Sequence, residues 1–351
     1  MEPVRLGIVG CGVIGTQHLD LAEKCSLAEV VAIADVVEDR VRAAAERFDI
    51  STTYDNDDDL INDEQVDAVV LAMPAGFRTP VALKVLERKK HVLLEKPVAR
   101  SVEEVEKIMA LQGDRVVGCC SSRFVFTGHA EAATRCIASG GLGEIRMVRV
   151  RGVQGAPEAP RDNPPLWRQN MEQNGGGVLV NVGIYDLDYM MHVTGWELKP
   201  KVVLARWWPA ADPMSAYVAP NSDADSHCVG LFLCERGIVF SMERGEFCGM
   251  ETDNAWEIVG TEGTLYVPVR PQKGIPAAVV LDRFVPGEGV VREMLWEEGQ
   301  GDVENDILND FVCAIREGRQ PRTDLEQSLV LQKMIDAIYA SAKSGKSVSI
   351  S

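Results

Sequence analysis

Gly10, Gly12 and Gly15 fall at GxGxxG spacing, directly after one apolar run and at the head of an amphipathic one. Glycines so placed make a tight turn at Gly10, admit a pyrophosphate to the backbone at Gly12, and let helix and strand meet at Gly15. The N–H groups and positive dipole end of the following helix would hold the phosphate charge. Val13 and Ile14 complete the turn and join the candidate dinucleotide contacts. Asp35 ends the next apolar run 20 residues after Gly15. A carboxylate there accepts from an adenosine ribose and opposes a 2′-phosphate. Val36 follows it rather than an arginine, so NAD is expected over NADP, with Arg40 the nearby cation that qualifies this preference.

A second chemical group lies at Glu95-Lys96-Pro97, where the apolar run Val92–Leu94 ends. Ligands of doubly wound sheets bind beyond the carboxyl ends of strands, and Pro97 restricts the backbone of Lys96, which aims its ammonium reproducibly. Ala72, Pro74 and Glu95 are placed with Lys96 in the candidate cofactor set. A third group is a helical stripe after three consecutive glycines at 175–177: Asn181, Tyr185, Asp188 and His192 stand at i, i+4, i+7 and i+11. Leu179, Val182, Ile184, Leu187, Met190 and Met191 between them are apolar, so the stripe is either the wet face of the helix or a pocket wall. Trp167-Arg168 offers a ring face and a guanidinium just before the glycines. Arg123, Trp167, Arg168, Asn181, Tyr185 and Asp188 form the candidate substrate set.

The elements that must position these groups follow from the hydrophobic pattern. Short apolar runs alternate with amphipathic stretches over the first 120 or so residues: strands at Leu6–Val9, Val30–Ala34, Ala68–Ala72, Val92–Leu94 and Val116–Cys119, helices between them. Such alternation predicts a parallel sheet covered on both faces. From about residue 123 the pattern changes to one helix, Gly128–Ala138, and then strand-like segments with turn residues between them. Arg146–Arg151 alternates arginines with apolar residues, and Val202–Trp208, Cys228–Cys234, Gly237–Glu243 and Val279–Phe284 continue a mostly antiparallel sheet. Helices at Glu304–Glu317 and Leu325–Lys343 close the chain. The predicted fold is α/β, with a Rossmann dinucleotide-binding domain at 1–122 and a second α/β domain at 123–351.

Composition excludes other classes. A net charge of −17 repels a phosphate backbone, so no nucleic-acid partner is expected. No apolar run approaches the roughly 18 residues of a membrane span, and the start of the chain shows no secretory pattern. Nine scattered cysteines without a CxxC pair suit a reducing, cytoplasmic setting. The vicinal Cys119-Cys120 reads as two small hydrophobes. Five histidines, none at zinc spacing with cysteine or another histidine, lead us to expect no metal.

Taken together, the chain resembles the Gfo/Idh/MocA family of NAD(P)-dependent sugar and polyol oxidoreductases. The carriers are Gly10–Gly15 followed by His18, Val66–Val70 leading to Pro74, His91–Pro97 with the family's Glu-Lys-Pro motif, and Gly141–Ile145. The three glycines opening a helix and the ending from Asp324 through Tyr339–Ala342 to Val348 complete it. The resemblance implies a Rossmann domain and a second domain whose large open sheet commonly forms an oligomer interface, hence a homodimer or homotetramer. It implies a small sugar-like substrate, with Trp167-Arg168 in a substrate loop. Members usually carry aspartate where Asn181 stands and histidine where Tyr185 stands. Tyrosine is similar to the glucose–fructose oxidoreductase and dimeric dihydrodiol dehydrogenase branches. Asn181, and Arg78 where many members place a histidine, depart from the pattern.

The implied reaction is hydride transfer between nicotinamide and a carbinol carbon, with Tyr185 as general acid/base. Free tyrosine has a pKa of about 10, and a nearby Lys96 ammonium would favour the phenolate. Lys96 would also bond the reacting oxygen, and Asn181 would orient the substrate without titrating. Two further readings stand beside this one: a redox-neutral enzyme that retains NAD while cleaving glycosides, and a non-catalytic NAD-binding sugar sensor.

Overall fold

The computed structural model describes residues 2–121, 123–270, 274–299 and 306–350. These divide into two compact units, Met1–Ser121 with Asn305–Gln332, and Ser122–Glu304 with Lys333–Ser351.

The first unit is built on β1 (Val4–Val9), α1 (Val13–Lys24), β2 (Ala28–Ala34), α2 (Glu38–Phe48), β3 (Thr53–Tyr54) and α3 (Asp57–Asn62). It continues with β4 (Ala68–Leu71), α4 (Ala75–Glu87), β5 (His91–Leu94), α5 (Val102–Gln112) and β6 (Val117–Cys119). The strands form one six-stranded sheet in the order β3-β2-β1-β4-β5-β6, and every pairing is parallel. This is the doubly wound Rossmann order, which reverses between β1 and β4, and such folds bind ligands at that switch point. All four residues of β4 are buried, the continuous apolar strand that two covered faces require. The predicted strands and helices fall here within a few residues; β3 and α3 escaped the sequence reading. Among α1 to α5, two helix starts carry side-chain caps, Asn56 at α3 and Ser101, which accepts the N–H of Glu104 at the head of α5, an arrangement generally worth about 1 kcal/mol.

The hydrophobic pattern assigns all of 123–351 to the second domain, yet residues 306–332 pack with the first unit. The Phe311 ring lies 3.0 Å from where a Cβ on Gly118 of β6 would stand. Thr323 O accepts the N–H of Cys119 at 2.9 Å, and Leu325 joins the apolar cluster around β4 and β5. Amphipathic periodicity shows that a helix needs a partner without saying which sheet supplies it.

The second unit contains α6 (Gly128–Ala138), β7 (Ile145–Gly155), α7 (Met171–Asn174), a π-helical turn at Leu179–Gly183, and α8 (Ile184–Val193). The strands β8 (Pro200–Trp208), β9 (His227–Cys234), β10 (Val239–Cys248), β11 (Asp253–Gly260), β12 (Gly263–Tyr266), β13 (Ala278–Val285) and β14 (Gly289–Glu297) follow. Next come α9 (Ile307–Glu317), which belongs to the first unit, α10 (Leu325–Ser344), which spans the division, and β15 (Val348–Ser349). The predicted start of α9 at Glu304 lies outside the described residues. Nine strands run β14-β13-β12-β11-β7-β10-β9-β8-β15, antiparallel except where β7 meets β10. Alternation decides the two faces: Val148, Val150, Phe232, Phe240 and Met242 are buried, while Leu204, Leu231 and Leu233 are exposed on the other side. No helix among the described residues is long and apolar enough to cross a membrane.

Candidate functional site

In the first unit the glycine turn sits where β1 hands over to α1. Gly10 has φ of 97°, a left-handed conformation that suits glycine. A Cβ on Gly15 would stand 1.7 Å from Gly10 O, so helix and turn approach as only glycine allows. A Cβ on Gly12 would meet nothing within 4 Å, leaving the N-terminus of α1 open to a ligand. Val13 beside it is exposed and Ile14 partly so. Asp35 is buried at 8% exposure. Its Oδ2 accepts the Cys11 N–H at 2.8 Å and its Oδ1 the Val37 N–H at 2.9 Å. Arg40 Nη1 stands 3.9 Å from the same carboxylate. Burial pushes the Cys11 thiol up to about 12, so it packs rather than reacts. The N–H groups of the α1 end, the open surface at Gly12 and the fixed acceptor at Asp35 together fit a dinucleotide.

At the neighbouring strand ends, Ala72 N–H donates to Val9 O at 2.9 Å, and Pro74 caps α4. Beyond β5, Lys96 is partly exposed while Glu95 is buried. The Glu95 carboxylate accepts from Lys96 N at 3.0 Å and pairs with His18 Nε2 at 3.0 Å. Arg78, 2% exposed, donates to the carbonyls of Met73, Glu95 and Pro97. Burial lowers its guanidinium to about 10. Where the sequence marked Arg78 only as a departure, the structure makes it the cation that ties three backbone carbonyls around Lys96. His18, Glu95 and Cys120 bring one potential metal-ligand atom each within 4.8 Å of one another. Within this group His18 Nε2 bonds the Glu95 carboxylate, and the buried Arg78 guanidinium feels the charge of Glu95 and Cys120.

In the second unit the three glycines serve a buried aspartate. A Cβ on Gly177 would fall 1.9 Å from Asp225 O. The Asp225 carboxylate accepts the N–H of Gly177 and of Leu179 at 2.7 Å each, and the Tyr339 hydroxyl at 2.6 Å. Burial raises this carboxyl, with those donors opposing the rise. The backbone then makes a π-helical turn through Asn181 before α8, a local irregularity common at functional sites.

Tyr185, in the first turn of α8, is 8% exposed. Arg123 Nη2 donates to its hydroxyl at 3.4 Å, and Phe124 meets its ring edge-on with centroids 5.3 Å apart. Asp188 is buried and His192 partly so, which makes the polar stripe an inward-facing one. Arg168 places both guanidinium nitrogens on Glu246, at 2.8 and 2.7 Å, and Gln169 Nε2 bonds the same carboxylate at 2.5 Å. Arg168, expected from the sequence as a donor to substrate, is instead committed to a bidentate pair with Glu246. Trp167 beside it is partly exposed. Asn181 Nδ2 donates to Arg168 O at 2.6 Å and Gly177 O at 2.8 Å, rather than presenting its amide hydrogens to a ligand.

Four charged groups here went unread in the sequence: Glu246, Arg244, Asp186 and Arg270. Glu246 lies on β10, and Arg244 on the same strand is 1% exposed and pairs with Asp186 at 3.4 Å. Burial raises the Asp186 carboxyl, while Arg244 and a 2.9 Å bond from Trp256 Nε1 hold it down. Arg270 interacts with Tyr185, Asp186 and Glu246, and burial lowers its guanidinium. Two residues apart on β10, Arg244 and Glu246 share the inner face, so period-2 spacing carried a signal. Nothing in the sequence named their partners.

Residues 4–117 match the oxidoreductase family with an NAD-binding Rossmann fold, and residues 130–266 match the Gfo/Idh/MocA C-terminal domain. The chain belongs to the Gfo/Idh/MocA family of oxidoreductases, and its first unit is an NAD-binding Rossmann domain. It is 29% identical to an uncharacterized oxidoreductase, ORF334, of Rhizobium meliloti over 354 residues, 98% of each chain. It is 27% identical to D-xylose 1-dehydrogenase (NADP(+)) 2 of Haloferax volcanii over 352 residues, 99% of this chain and 100% of that one. The structure of levoglucosan dehydrogenase with NADH and L-sorbose superposes with a TM-score of 0.84 at 20% identity, covering 100% of both chains. At that identity the likeness speaks to the fold.

Proposed function

We propose that this protein oxidises a carbinol carbon of a sugar, polyol or glycoside, with NAD as the partner. The observation that carries this reading is Tyr185, a buried phenol whose oxygen takes a hydrogen bond from Arg123 at 3.4 Å. A cationic donor stabilises negative charge on that oxygen, which is what a proton acceptor needs. Bound nicotinamide supplies the hydride acceptor. Tyr185 takes the hydroxyl proton of the substrate, and Lys96 donates to the reacting oxygen. Trp167 offers its ring face to the apolar side of a sugar. The substrate class is supported by a relative named for D-xylose and by a neighbour named for levoglucosan.

A panel of sugars and polyols, assayed for NADH formation, tests the proposal. NADH formation with one or more of them is the expected result. Product release from glycosides without added cofactor would instead establish the redox-neutral reading. Thermal stabilisation by a sugar without any turnover would establish the sensor.

A further inference from the structure

The carbonyl of Arg168 is approached by two side-chain amides. Asn181 Nδ2 donates to it at 2.6 Å and Asn174 Nδ2 at 3.2 Å. The amides also bond each other, Asn174 Nδ2 to Asn181 Oδ1 at 3.1 Å. Asn181 Nδ2 places its second hydrogen on Gly177 O at 2.8 Å, and Asn174 Nδ2 shares its two hydrogens among Arg168 O, Asn181 Oδ1 and Gly176 O, the last at 3.1 Å. Both residues are buried, at 5% and 1% exposure. At its other end Arg168 is fixed by the bidentate bond to Glu246. Arg168 is therefore held at backbone and head alike, and Trp167, one residue earlier, inherits that fixed position.

We propose that Asn181 and Asn174 form an amide clamp on the Arg168 carbonyl, which makes Asn181 a positioning residue that sets sugar affinity through Trp167. The chemistry requires an amide at 181. Two carbonyl oxygens face Nδ2, so the side chain there must donate, and an ionised carboxylate would confront both as an acceptor without a proton. The clamp stands on these contacts alone; its effect on sugar affinity rests on the function proposed above.

Asn181→Asp tests it, because aspartate keeps the shape of the native side chain but has no donor when ionised and one O–H when protonated. Charged and titratable groups bonded to the residues that Asn181 contacts include Glu246, on Arg168, and Asp225 with Tyr339, on Gly177, while Tyr185 follows one helical turn on. Burial favours the neutral acid at 181, which donates again once protonated. At alkaline pH, Asn181→Asp is expected to raise the KM for sugar by roughly tenfold, the scale on which one lost buried hydrogen bond registers. NADH affinity should stay unchanged. Relative to the parent at each pH, the KM should recover as pH falls, whereas Asn181→Leu should show the loss at every pH. Acrylamide quenching of Trp167, taken as the difference between each protein and its Trp167→Phe counterpart, should rise and recover in parallel. That quenching needs no turnover, so it decides the clamp even where the sugar panel fails. Asn174→Leu leaves Asn181 in place and should give the same change at smaller amplitude, which covers the case in which Asn181→Asp does not fold. Unaltered quenching in these variants, or an Asn181→Asp defect that acid does not relieve, overturns the clamp.

Discussion

Asp35 holds Cys11 across the phosphate-binding turn: its Oδ2 accepts the Cys11 N–H at 2.8 Å while its Oδ1 accepts Val37 N–H. The carboxylate proposed to select the cofactor is thus fixed to the glycine turn. A carboxylate at this place opposes a 2′-phosphate, and Arg40 Nη1 stands 3.9 Å from it. NAD should bind at least several-fold more tightly than NADP, and Asp35→Ser should narrow the gap. Titration calorimetry on parent and variant measures both, and equal affinities in the parent would sink the idea. The NADP(+)-dependent name of one relative makes the comparison informative.

Tyr185→Phe keeps the ring that Phe124 packs against and removes only the hydroxyl. Turnover should fall about 10² to 10⁴-fold, the usual contribution of general acid–base catalysis, with NADH affinity intact. Lys96→Met should lose at least as much. Full activity in Tyr185→Phe would shift the proton-handling role along the stripe, to Asp188 or His192.

The outer face of the nine-stranded sheet exposes Leu204, Trp208, Val229, Leu231 and Leu233 on two adjacent strands. An exposed apolar face of this kind supports the expected assembly through this sheet. A homodimer or homotetramer is expected by light scattering at micromolar concentration, and Leu231→Lys should shift it toward monomer. A monomeric parent would contradict the assembly.

His129 ties stability to pH. It is 2% exposed, its Nδ1 meets the Tyr189 hydroxyl at 2.8 Å, and burial lowers its pKa from 6.5 to about 4. The unfolded chain therefore binds the proton more readily than the folded one. The contribution is complete above about pH 6.5 and is lost as pH falls toward 4, a change of about 3 kcal/mol at most. Urea unfolding between those pH values should show the decline, and His129→Gln should flatten it. An identical slope in the variant would assign the acid sensitivity to other groups.

The Rossmann half was readable because its signals are local. Glycine spacing, apolar runs and Asp35 each report a backbone requirement written within a few residues. The second half hid its chemistry in pairings across the sheet. Arg168 and Glu246 are 78 residues apart, and Arg244 meets Asp186 from another element entirely. A lone arginine in a loop reads as solvated or substrate-facing until its acceptor is seen. Asn181 shows the same limit: its place on the stripe was visible, but its acceptors are backbone carbonyls, which carry no residue type.

The return of residues 306–332 to the first unit has a consequence for synthesis. Translation delivers roughly 5–20 residues per second. After Cys119 leaves the ribosome, Phe311, Thr323 and Leu325 follow on the order of ten seconds or more later. Throughout that delay the apolar surface they cover is open to chaperones and to neighbouring nascent chains. The part of the enzyme made first is among the last to close, and truncation anywhere before Leu325 leaves its nucleotide-binding half without its full core.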